Sequence, residues 1–405
     1  MNRCFIVADD FTGSNDTGVQ LSRRGFRTKV VLNPAGILDD GLSYVLDTES
    51  RNIPGEDSRN KVRELLKGLD LTAFDCVVKK VDSTLRGNIA EEIQETDRAY
   101  GSELVVFMPA LPSLGRTTVN SVHHLNGVRI GMTELARDPR KPVLQDNIAE
   151  VLKSCYDEPV GALTLTQIRS GKINLSSARL WACDAETNED MLVVIEEARK
   201  LGKRTLWVGT AAMADNLINA EQPPLPALAV IASVSEVARK QIRYAEEKGL
   251  RVQKVDIAAL LRGALPDTVV KEAVEALQAG DDLAFVSSAS YDRAELDASL
   301  AAGEEMGMRP DEVAEFTSHT ISQLAARILD TVKVSGLFLS GGDTAIHFID
   351  EVDATGAEIT FELTVGVPLM RLAGGRLDGL KVITKAGAFG TTELLPMIMR
   401  KLGEA

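Results

Sequence analysis

The sequence lacks the features that mark several classes of protein. It has no apolar run of about 18 residues, the length that a transmembrane helix needs. It also opens on a strand-like apolar run instead of the basic, apolar and small-residue succession of a secretory signal. We therefore expect a cytoplasmic protein without a membrane partner. Because 59 Asp and Glu outweigh 45 Lys and Arg, for a net charge of −14, we expect no non-specific binding to nucleic acid either.

Cysteine and histidine are scarce and dispersed. The cysteines Cys4, Cys76, Cys155 and Cys183 form no CxxC pair, which favours buried packing positions over metal or redox sites. The 4 histidines have no metal-ligand spacing, so a surface or packing role is favoured for each. The sequence therefore identifies no metal ligands, and these stay unknown.

Strand-length apolar runs, by contrast, alternate with amphipathic segments almost throughout the chain. This alternation predicts an α/β fold with mainly parallel sheets covered by helices. A length of 405 residues favours two domains. The densest proline cluster, 221–226, is typical of a semi-rigid linker. We therefore predict one domain over 1–222 and a second over 227–405.

Two segments carry more specific predictions. Residues 119–140 have no regular pattern, which indicates a long functional loop or lid. Residues 364–370 have the apolar content of one strand. In addition, Ser233 and Ser235 follow a predicted strand and could cap the helix that comes next.

Two aspartates, Asp9 and Asp10, directly follow the apolar run 4–8, which has the length and β-branched content of a buried strand. Ligands of open α/β sheets bind at the carboxyl edge of the strands, which is where these acids would lie. They could hold a substrate hydroxyl, take its proton or bind a metal. The alternative is that Asp10 or Thr12 only caps the following helix.

Similar polar clusters follow two later strands, and a Pro/Gly-rich loop presents a further arginine. Together they suit a small polyhydroxy carboxylate, because arginine binds carboxylates and aspartate accepts from hydroxyls. The adjacent Lys79 and Lys80 should point to opposite faces of a strand, so at most one of them faces the site. The candidate residues of this half are Asp10, Arg51, Asp82, Ser83, Thr84, Arg86 and Arg116.

The second half contains two glycine loops, 340–344 and 385–391, each placed after a predicted strand and before a helix. Glycine lets a phosphate approach the backbone, and a helix N-terminus offers free N–H donors. Neither loop matches GxxxxGK[ST] or GxGxxG, so a tight strand-to-helix turn is the alternative for each. The pair, one of them preceded by a lysine, favours a nucleotide triphosphate site. The absence of GxGxxG disfavours a dinucleotide oxidoreductase, and a non-catalytic sensor stays open.

Five motifs together resemble the four-carbon acid sugar kinase family, in the same order and over nearly the whole chain. They are Ala8-Asp9-Asp10-Phe11-Thr12-Gly13, Lys80-Val81-Asp82-Ser83-Thr84-Leu85-Arg86-Gly87-Asn88, Pro109-Ala110-Leu111-Pro112 with Gly115-Arg116, Ser340-Gly341-Gly342-Asp343-Thr344, and Lys385-Ala386-Gly387-Ala388-Phe389-Gly390.

The resemblance implies an N-terminal domain that binds an acid sugar, a C-terminal domain that binds ATP, and an active site in the cleft between the domains. It implies ATP-dependent and Mg²⁺-dependent phosphorylation of the terminal hydroxyl of a tetronate. D-threonate is the nearest substrate, with 3-oxo-tetronate and D-erythronate as alternatives. Self-association into a homo-oligomer stays open.

The matching motifs also imply residue roles. Asp10 would orient or deprotonate the 4-hydroxyl, with Asp82 and Asp343 as rivals. The acid sugar would be bound by Asp10, Arg51, Asp82, Ser83, Thr84 and Arg86. The nucleotide would be bound by Ser233, Gly341, Gly342, Asp343, Thr344 and Gly387.

Two departures from the family pattern concern the nucleotide half. Relatives usually carry a Gly-Ser-Cys-Ser sequence at the turn 231–235, and this chain lacks its glycine. The sequence therefore does not predict a close approach of the nucleotide to the backbone at this turn. Ala386 replaces a second glycine of the later loop, a milder change.

Overall fold

A computed structural model describes residues 3–37 and 40–404. The chain divides into two compact units, Met1–Pro223 and Pro224–Ala405. Each unit is built on one mainly parallel sheet flanked by helices, so the predicted two-domain α/β class is confirmed. No helix in the described ranges combines the length and the apolar content that crossing a membrane requires.

The first unit contains a large parallel sheet and a small antiparallel one. Its described strands are β1 (Cys4–Ala8), β2 (Thr28–Val31), β3 (Ser43–Asp47), β4 (Cys76–Lys80), β5 (Leu104–Met108), β6 (Arg116–Val119), β7 (Val122–Leu125), β8 (Val128–Arg129), β9 (Val160–Leu163), β10 (Leu180–Cys183) and β11 (Thr205–Gly209). The large sheet has the order β2-β3-β1-β4-β11-β5-β10-β9, and every neighbouring pair is parallel.

Helices cover both faces of the large sheet. Those described are α1 (Phe11–Arg23), α2 (Gly55–Leu66), α3 (Ile89–Tyr100), α4 (Ile148–Lys153), α5 (Leu165–Arg169), α6 (Asn188–Lys200) and α7 (Ala211–Glu221). Alternate residues of β1 enter separate cores: Ile6 packs on one face, and Phe5 and Val7 pack on the other. Strands β1 and β5 are therefore apolar at every position, as expected of parallel strands buried on both faces.

The prediction of an irregular loop over 119–140 is wrong for its first part. Strands β6, β7 and β8 form an antiparallel sheet across that stretch. Two tight turns join them, with positive φ at Asn120 (51°) and Ser121 (64°), and at Asn126 (49°) and Gly127 (78°). Such turns suit two-residue hairpins, and Asn-Gly is the pair they favour. The strands are short and half-buried, so their apolar alternation is weak.

The second unit has one sheet with two antiparallel strands at one edge. Its strands are β12 (Ala227–Ile231), β13 (Arg251–Val255), β14 (Leu283–Ser287), β15 (Gly336–Ser340), β16 (Gly356–Thr364), β17 (Val367–Ala373) and β18 (Lys381–Lys385). Its helices are α8 (Glu236–Glu247), α9 (Ile257–Leu261), α10 (Asp267–Gln278), α11 (Ser288–Tyr291), α12 (Arg293–Glu305), α13 (Pro310–Leu329), α14 (Gly342–Glu351) and α15 (Leu394–Gly403). The described strand order is β13-β14-β12-β15-β18-β17-β16.

The single strand predicted over 364–370 is also wrong. Residues Val365 and Gly366 form a turn there, between the antiparallel strands β16 and β17. Gly366 has a φ of 75°, which glycine adopts without a steric penalty. The apolar run therefore covers a strand end, a turn and a strand start.

Each sheet contains a point where the chain leaves two adjacent strands in opposite directions. In the first unit, β1 leads to β2 on one side and β4 leads to β5 on the other. In the second unit, β12 leads toward β13 while β15 leads toward the edge that carries β16. Such switch points leave a crevice at the carboxyl ends of the strands, where α/β proteins bind ligands.

Candidate active site

A cavity of about 490 Å³ lies at the switch point of the first unit. It brings together Asp10, Arg51, Asp82, Ser83 and Arg86, which the sequence predicts as site residues. The full lining is Asp10, Thr12, Gly13, Asp16, Arg51, Lys80, Asp82, Ser83, Arg86, Leu111, Thr210 and Ala211. We call this the polar cavity.

Asp10 has two structural roles at the edge of the polar cavity. Its Oδ1 accepts the backbone N–H of Gly13 at 3.0 Å, which caps α1. The same carboxylate accepts from Arg51 at both oxygens, with Nη1–Oδ2 at 2.6 Å and Nη2–Oδ1 at 2.8 Å. Asp10 therefore caps α1, but capping is not its only role, because it also belongs to the charged cluster.

Arg51 bridges both acids of the opening motif. Its Nε donates to Asp9 Oδ2 at 2.7 Å and its Nη2 donates to Asp9 Oδ1 at 2.9 Å. With the two bonds to Asp10, these contacts occupy most of the five N–H donors of the guanidinium. Burial alone would lower the pKa of Arg51, but the hydrogen bonds and charge of Asp9 outweigh burial and raise it. Arg51 therefore binds two carboxylates side by side.

A second charged cluster is formed within the loop after β4. Asp82 accepts from the Thr84 hydroxyl and from Arg86, with Nε–Oδ2 at 2.9 Å and Nη2–Oδ1 at 3.2 Å. Burial favours the neutral acid, but the bonds from Arg86 and the charge of Arg51 prevail and lower the pKa of Asp82. Leu85 follows with a φ of 59°, a conformation that non-glycine residues seldom adopt.

The adjacent lysines of β4 separate as predicted. Lys79 is fully buried and pairs with Glu92 of α3, with Nζ–Oε2 at 2.9 Å. Lys80 faces the polar cavity, and its Nζ donates to the Val81 carbonyl at 2.9 Å. Burial lowers the pKa of Lys80, although the charges of nearby acids oppose this effect. Lys80 therefore lines the cavity and Lys79 does not, because successive side chains of a strand point to opposite faces.

Two predicted residues do not line the polar cavity. Thr84 is buried, and its hydroxyl donates a hydrogen bond to Asp82. Arg116 begins β6 and its Nη1 donates to the Leu114 carbonyl of its own loop. Asp16 lines the cavity but is not among the predicted site residues. Its spacing of four from Thr12 and three from Gly13 puts all three on one face of α1.

A second cavity, of about 310 Å³, lies at the switch point of the second unit. It contains four of the residues that the sequence predicts for the nucleotide, namely Ser233, Gly341, Asp343 and Thr344. Its remaining lining is Ala232, Val234, Ala289, Leu296, Ser299, Leu300, Pro310, Val313, Ala314, Thr317 and Ser318. We call this the glycine-loop cavity. Leu296, Leu300, Pro310, Val313 and Ala314 of this lining come from α12 and α13, and Ser299, Thr317 and Ser318 lie on the same two helices.

The first glycine loop forms the N-terminus of α14. Gly341 is the N-cap residue with a φ of 116°, and Gly342 begins the helix. Helix starts carry free N–H groups and a partial positive charge, both of which suit a phosphate. Gly342 itself lies just outside the lining of the cavity.

The second glycine loop packs on the turn after β12. A Cβ on Gly387 would lie 2.1 Å from Ser233 Oγ, so only glycine fits without movement. Ser235 Oγ donates to the Gly387 carbonyl at 2.7 Å and also caps α8, which confirms the capping prediction for Ser235. Gly387 therefore contacts a cavity residue without lining the cavity.

The lysine before this loop is turned onto the loop itself. Lys385 Nζ donates to the carbonyls of Ala386 (3.1 Å), Gly387 (3.0 Å) and Phe389 (3.1 Å). Burial lowers the pKa of Lys385 to about 8. In this structure the lysine fixes the loop rather than facing a ligand.

The described residues hold no group of three or more His, Cys, Asp and Glu that could bind a metal ion. Mg²⁺ does not need such a group, because it is commonly held by one or two carboxylates together with substrate phosphates. Asp343 meets this requirement: it is an exposed carboxylate in the first turn of α14 and lines the glycine-loop cavity.

Comparison with known proteins gives full-length matches. A family model described as a sugar-binding N-terminal domain matches residues 4–217, and one described as a nucleotide-binding C-terminal domain matches residues 228–395. A D-threonate kinase of Salmonella typhimurium is 31% identical, over 97% of this chain and 96% of the relative. A D-erythronate kinase of Heliobacterium modesticaldum is 28% identical, over 97% and 95%.

Solved structures agree with the fold. A crystal structure from Bordetella bronchiseptica, described as a domain of unknown function with bound citrate and as a domain-swapped dimer, has a TM-score of 0.66. It is 28% identical and is matched over 99% of this chain and 98% of its own. Two family models, a full-length relative above 30% identity and a shared fold thus agree with the motif resemblance. The chain belongs to the four-carbon acid sugar kinase family.

Proposed function

We propose that this protein is a D-threonate 4-kinase, which transfers the γ-phosphoryl group of ATP to the 4-hydroxyl of D-threonate. The observation that carries the proposal is the polar cavity, which gathers three acids and three cations at a switch point of the unit that matches the sugar-binding model. The motifs of this chain look most like those of D-threonate kinases, and a relative that is 31% identical has that name.

Asp10 is the residue we assign to the acceptor hydroxyl. Its Oδ2 accepts one hydrogen bond, from Arg51, and a carboxylate oxygen has room for a second. The hydroxyl proton passes to Asp10 as the O4–P bond forms and the bond from the γ-phosphorus to the β–γ bridging oxygen breaks, which releases ADP. Asp82 and Ser83 would bind the other hydroxyls, while Arg51 and Arg86 hold Asp10 and Asp82 in place.

The glycine-loop cavity is the site we assign to ATP. Its apolar side suits the base, and Gly341, Gly342 and Thr344 at the start of α14 suit the phosphates. Asp343 would repel those phosphates unless a cation lay between them, so we assign it to Mg²⁺. The metal, when bound, neutralises phosphate charge. Ser233 and Gly387 would shape the adjoining turn.

We also propose an oligomeric state and a cellular location for this protein. The Bordetella neighbour is a domain-swapped dimer with bound citrate, a hydroxy acid. By analogy we infer a homo-oligomer and a site for a hydroxycarboxylate, in a protein of the cytoplasm. The domains 1–222 and 227–405 would bind the acid and the nucleotide, respectively.

A coupled assay of ADP release tests the activity. Purified protein with ATP and Mg²⁺ is given D-threonate, L-threonate, D-erythronate or a 3-oxo-tetronate in parallel. We expect the highest kcat/KM with D-threonate. Preference for another acid would overturn only the specificity, whereas ligand-induced thermal stabilisation without ADP release from any acid would favour a sensor over a kinase.

A further inference from the structure

The cations that line the polar cavity differ in how many partners they already have. Arg51 donates to both oxygens of Asp9 and both oxygens of Asp10. Arg86 donates twice to Asp82, and its Nη1 lies 3.5 Å from Asp138 Oδ2. Both guanidinium groups are therefore committed to the protein's own carboxylates before any ligand arrives. A bidentate grip on a second carboxylate would require one of these pairs to break.

Lys80 has no such commitment. Among the residues that the structure describes, it forms no ion pair, and its Nζ donates a hydrogen bond to the Val81 carbonyl. An ammonium has three N–H donors, so two remain for other acceptors. The residue is only 5% exposed, and a buried cation with unused donors is unfavourable unless a partner is supplied.

The surroundings of Lys80 suit an anion. Lys80 lies beside Gly13 in the first turn of α1, and both residues line the polar cavity. A Cβ on Gly13 would lie 3.0 Å from Lys80 Nζ and 2.5 Å from Asp10 Oδ1, so a side chain there would crowd the ammonium. The N-terminus of α1 adds its partial positive charge on that side. The carboxylate is the one permanent charge of an unphosphorylated tetronate, so it is the group that would accept from the unused donors of Lys80 within the cavity.

We propose that Lys80, rather than Arg51 or Arg86, binds the carboxylate of the acid sugar. The proposal rests on the proposed function of the same cavity and makes it more specific. Lys80 thereby selects an acid over the corresponding polyol, while the two arginines hold Asp9, Asp10 and Asp82 in position for the hydroxyls. The rival is that Lys80 contacts the transferred phosphoryl group instead.

Two acceptors distinguish these roles. D-threonate carries the carboxylate, and threitol replaces it with a neutral CH₂OH group while keeping the phosphorylated end. Lys80→Met should lower kcat/KM for D-threonate by about 10²-fold, chiefly through KM, because a buried charge-assisted contact is lost. With threitol the same variant should match the wild type within about threefold. An equal loss with both acceptors would overturn the proposal in favour of phosphoryl contact, and no loss with D-threonate would also overturn it.

Lys79→Met is the matched control, since it removes the neighbouring lysine from the opposite face of β4. It should lower stability while leaving the KM for D-threonate unchanged. Lys80→Gln, which keeps two donors without the charge, replaces Lys80→Met if the latter does not fold. If the wild type phosphorylates neither acceptor, the proposed function fails. Calorimetric titration of D-threonate and threitol then decides the role of Lys80 separately, because only D-threonate binding should weaken in the variant.

Discussion

The two cavities lie at equivalent places, the switch points of two similar sheets, but they are lined by different kinds of residue. The polar cavity is lined largely by charged side chains, and Asp10, Arg51, Asp82 and Arg86 are paired there as acid and base. The glycine-loop cavity is lined mainly by glycine backbone, hydroxyls and apolar side chains, with Asp343 among them, and the nearby Lys385 is bonded to carbonyls of its own loop. The structure of the polar cavity therefore depends on the balance of its charges, and that of the glycine-loop cavity depends on the free volume around its glycines. A substitution that keeps volume and removes charge should therefore damage the first unit, and an added methyl group should damage the second.

The largest expected effect is at the buried pair behind the polar cavity. Lys79→Met leaves Glu92 as an uncompensated charge that is 1% exposed. Breaking such a pair costs about 3–5 kcal/mol. Urea unfolding followed by circular dichroism measures the loss. The control is Lys67→Met, whose pair with Glu64 is exposed and should cost less than about 1 kcal/mol. Equal costs for the two variants would show that buried charge does not dominate this unit.

The next effect is catalytic. Asp10→Asn should lower turnover about 10²-fold or more, since the amide cannot accept the hydroxyl proton. Asparagine is an equally good helix cap, so α1 should stay folded. Steady-state kinetics and thermal melts measure both properties. The matched control is Asp70→Asn at an exposed cap of the same unit, with expected wild-type turnover. Near-normal turnover of Asp10→Asn would move the base to Asp82 or Asp343.

A third prediction uses pH to probe the charge balance beside Asp10. Burial, with the charges of Glu49 and Asp10, raises the pKa of Asp47 to about 6, and no described residue donates to its Oδ2. The folded protein therefore holds this proton more tightly than the unfolded chain does. The resulting stability is present below about pH 4 and is lost as the pH rises through 6.

Asp47→Asn removes that dependence. The variant should gain about 2 kcal/mol relative to the wild type between pH 4 and pH 8. Its Oδ1 can still accept the Glu49 N–H, as Asp47 does at 3.0 Å. Urea unfolding at the two pH values is the measurement. A stability difference that is the same at both would mean that Asp47 titrates normally.

The smallest effect tests space in the second unit. Gly387→Ala places a methyl group 2.1 Å from Ser233 Oγ. The loop must shift, and we expect the KM for ATP to rise about tenfold, equivalent to about 1.4 kcal/mol. The KM for the acid should not change. Gly356→Ala, where an added Cβ meets nothing within 4 Å, is the control. Adding Ser233→Ala should restore part of the ATP affinity, and no restoration would contradict a steric cause.

The fold was predictable where one rule dominated the local structure. The buried strand predicted for the run 4–8 coincides with β1, because five successive apolar residues before two aspartates allow little else. The hairpins after Val119 were missed although Asn126-Gly127 is a hairpin pair, since short half-exposed strands give a weak alternation. Turn chemistry, rather than periodicity, carried the signal there.

The candidate site was predictable as a set of residues but not as a set of contacts. Strand ends placed Asp10, Arg51 and Asp82 at one edge, because the carboxyl ends of parallel strands meet there. The sequence could not show that Arg51 would be shared by two acids, or that Lys385 would bind its own loop. Such pairings depend on distances between elements far apart in the chain.

The ion pair of Lys79 and Glu92 also fixes the register of β4. A slip of one residue exchanges the faces of a strand. A slip in one direction would place Val78 beside Glu92 and Lys79 at the polar cavity. A slip in the other direction would place Lys80 beside Glu92 and leave the cavity without a lysine at that position. Only the native register also pairs Glu92 and aligns the loop that begins at Asp82. A single-residue insertion within β4 should therefore act as a loss of both stability and substrate recognition.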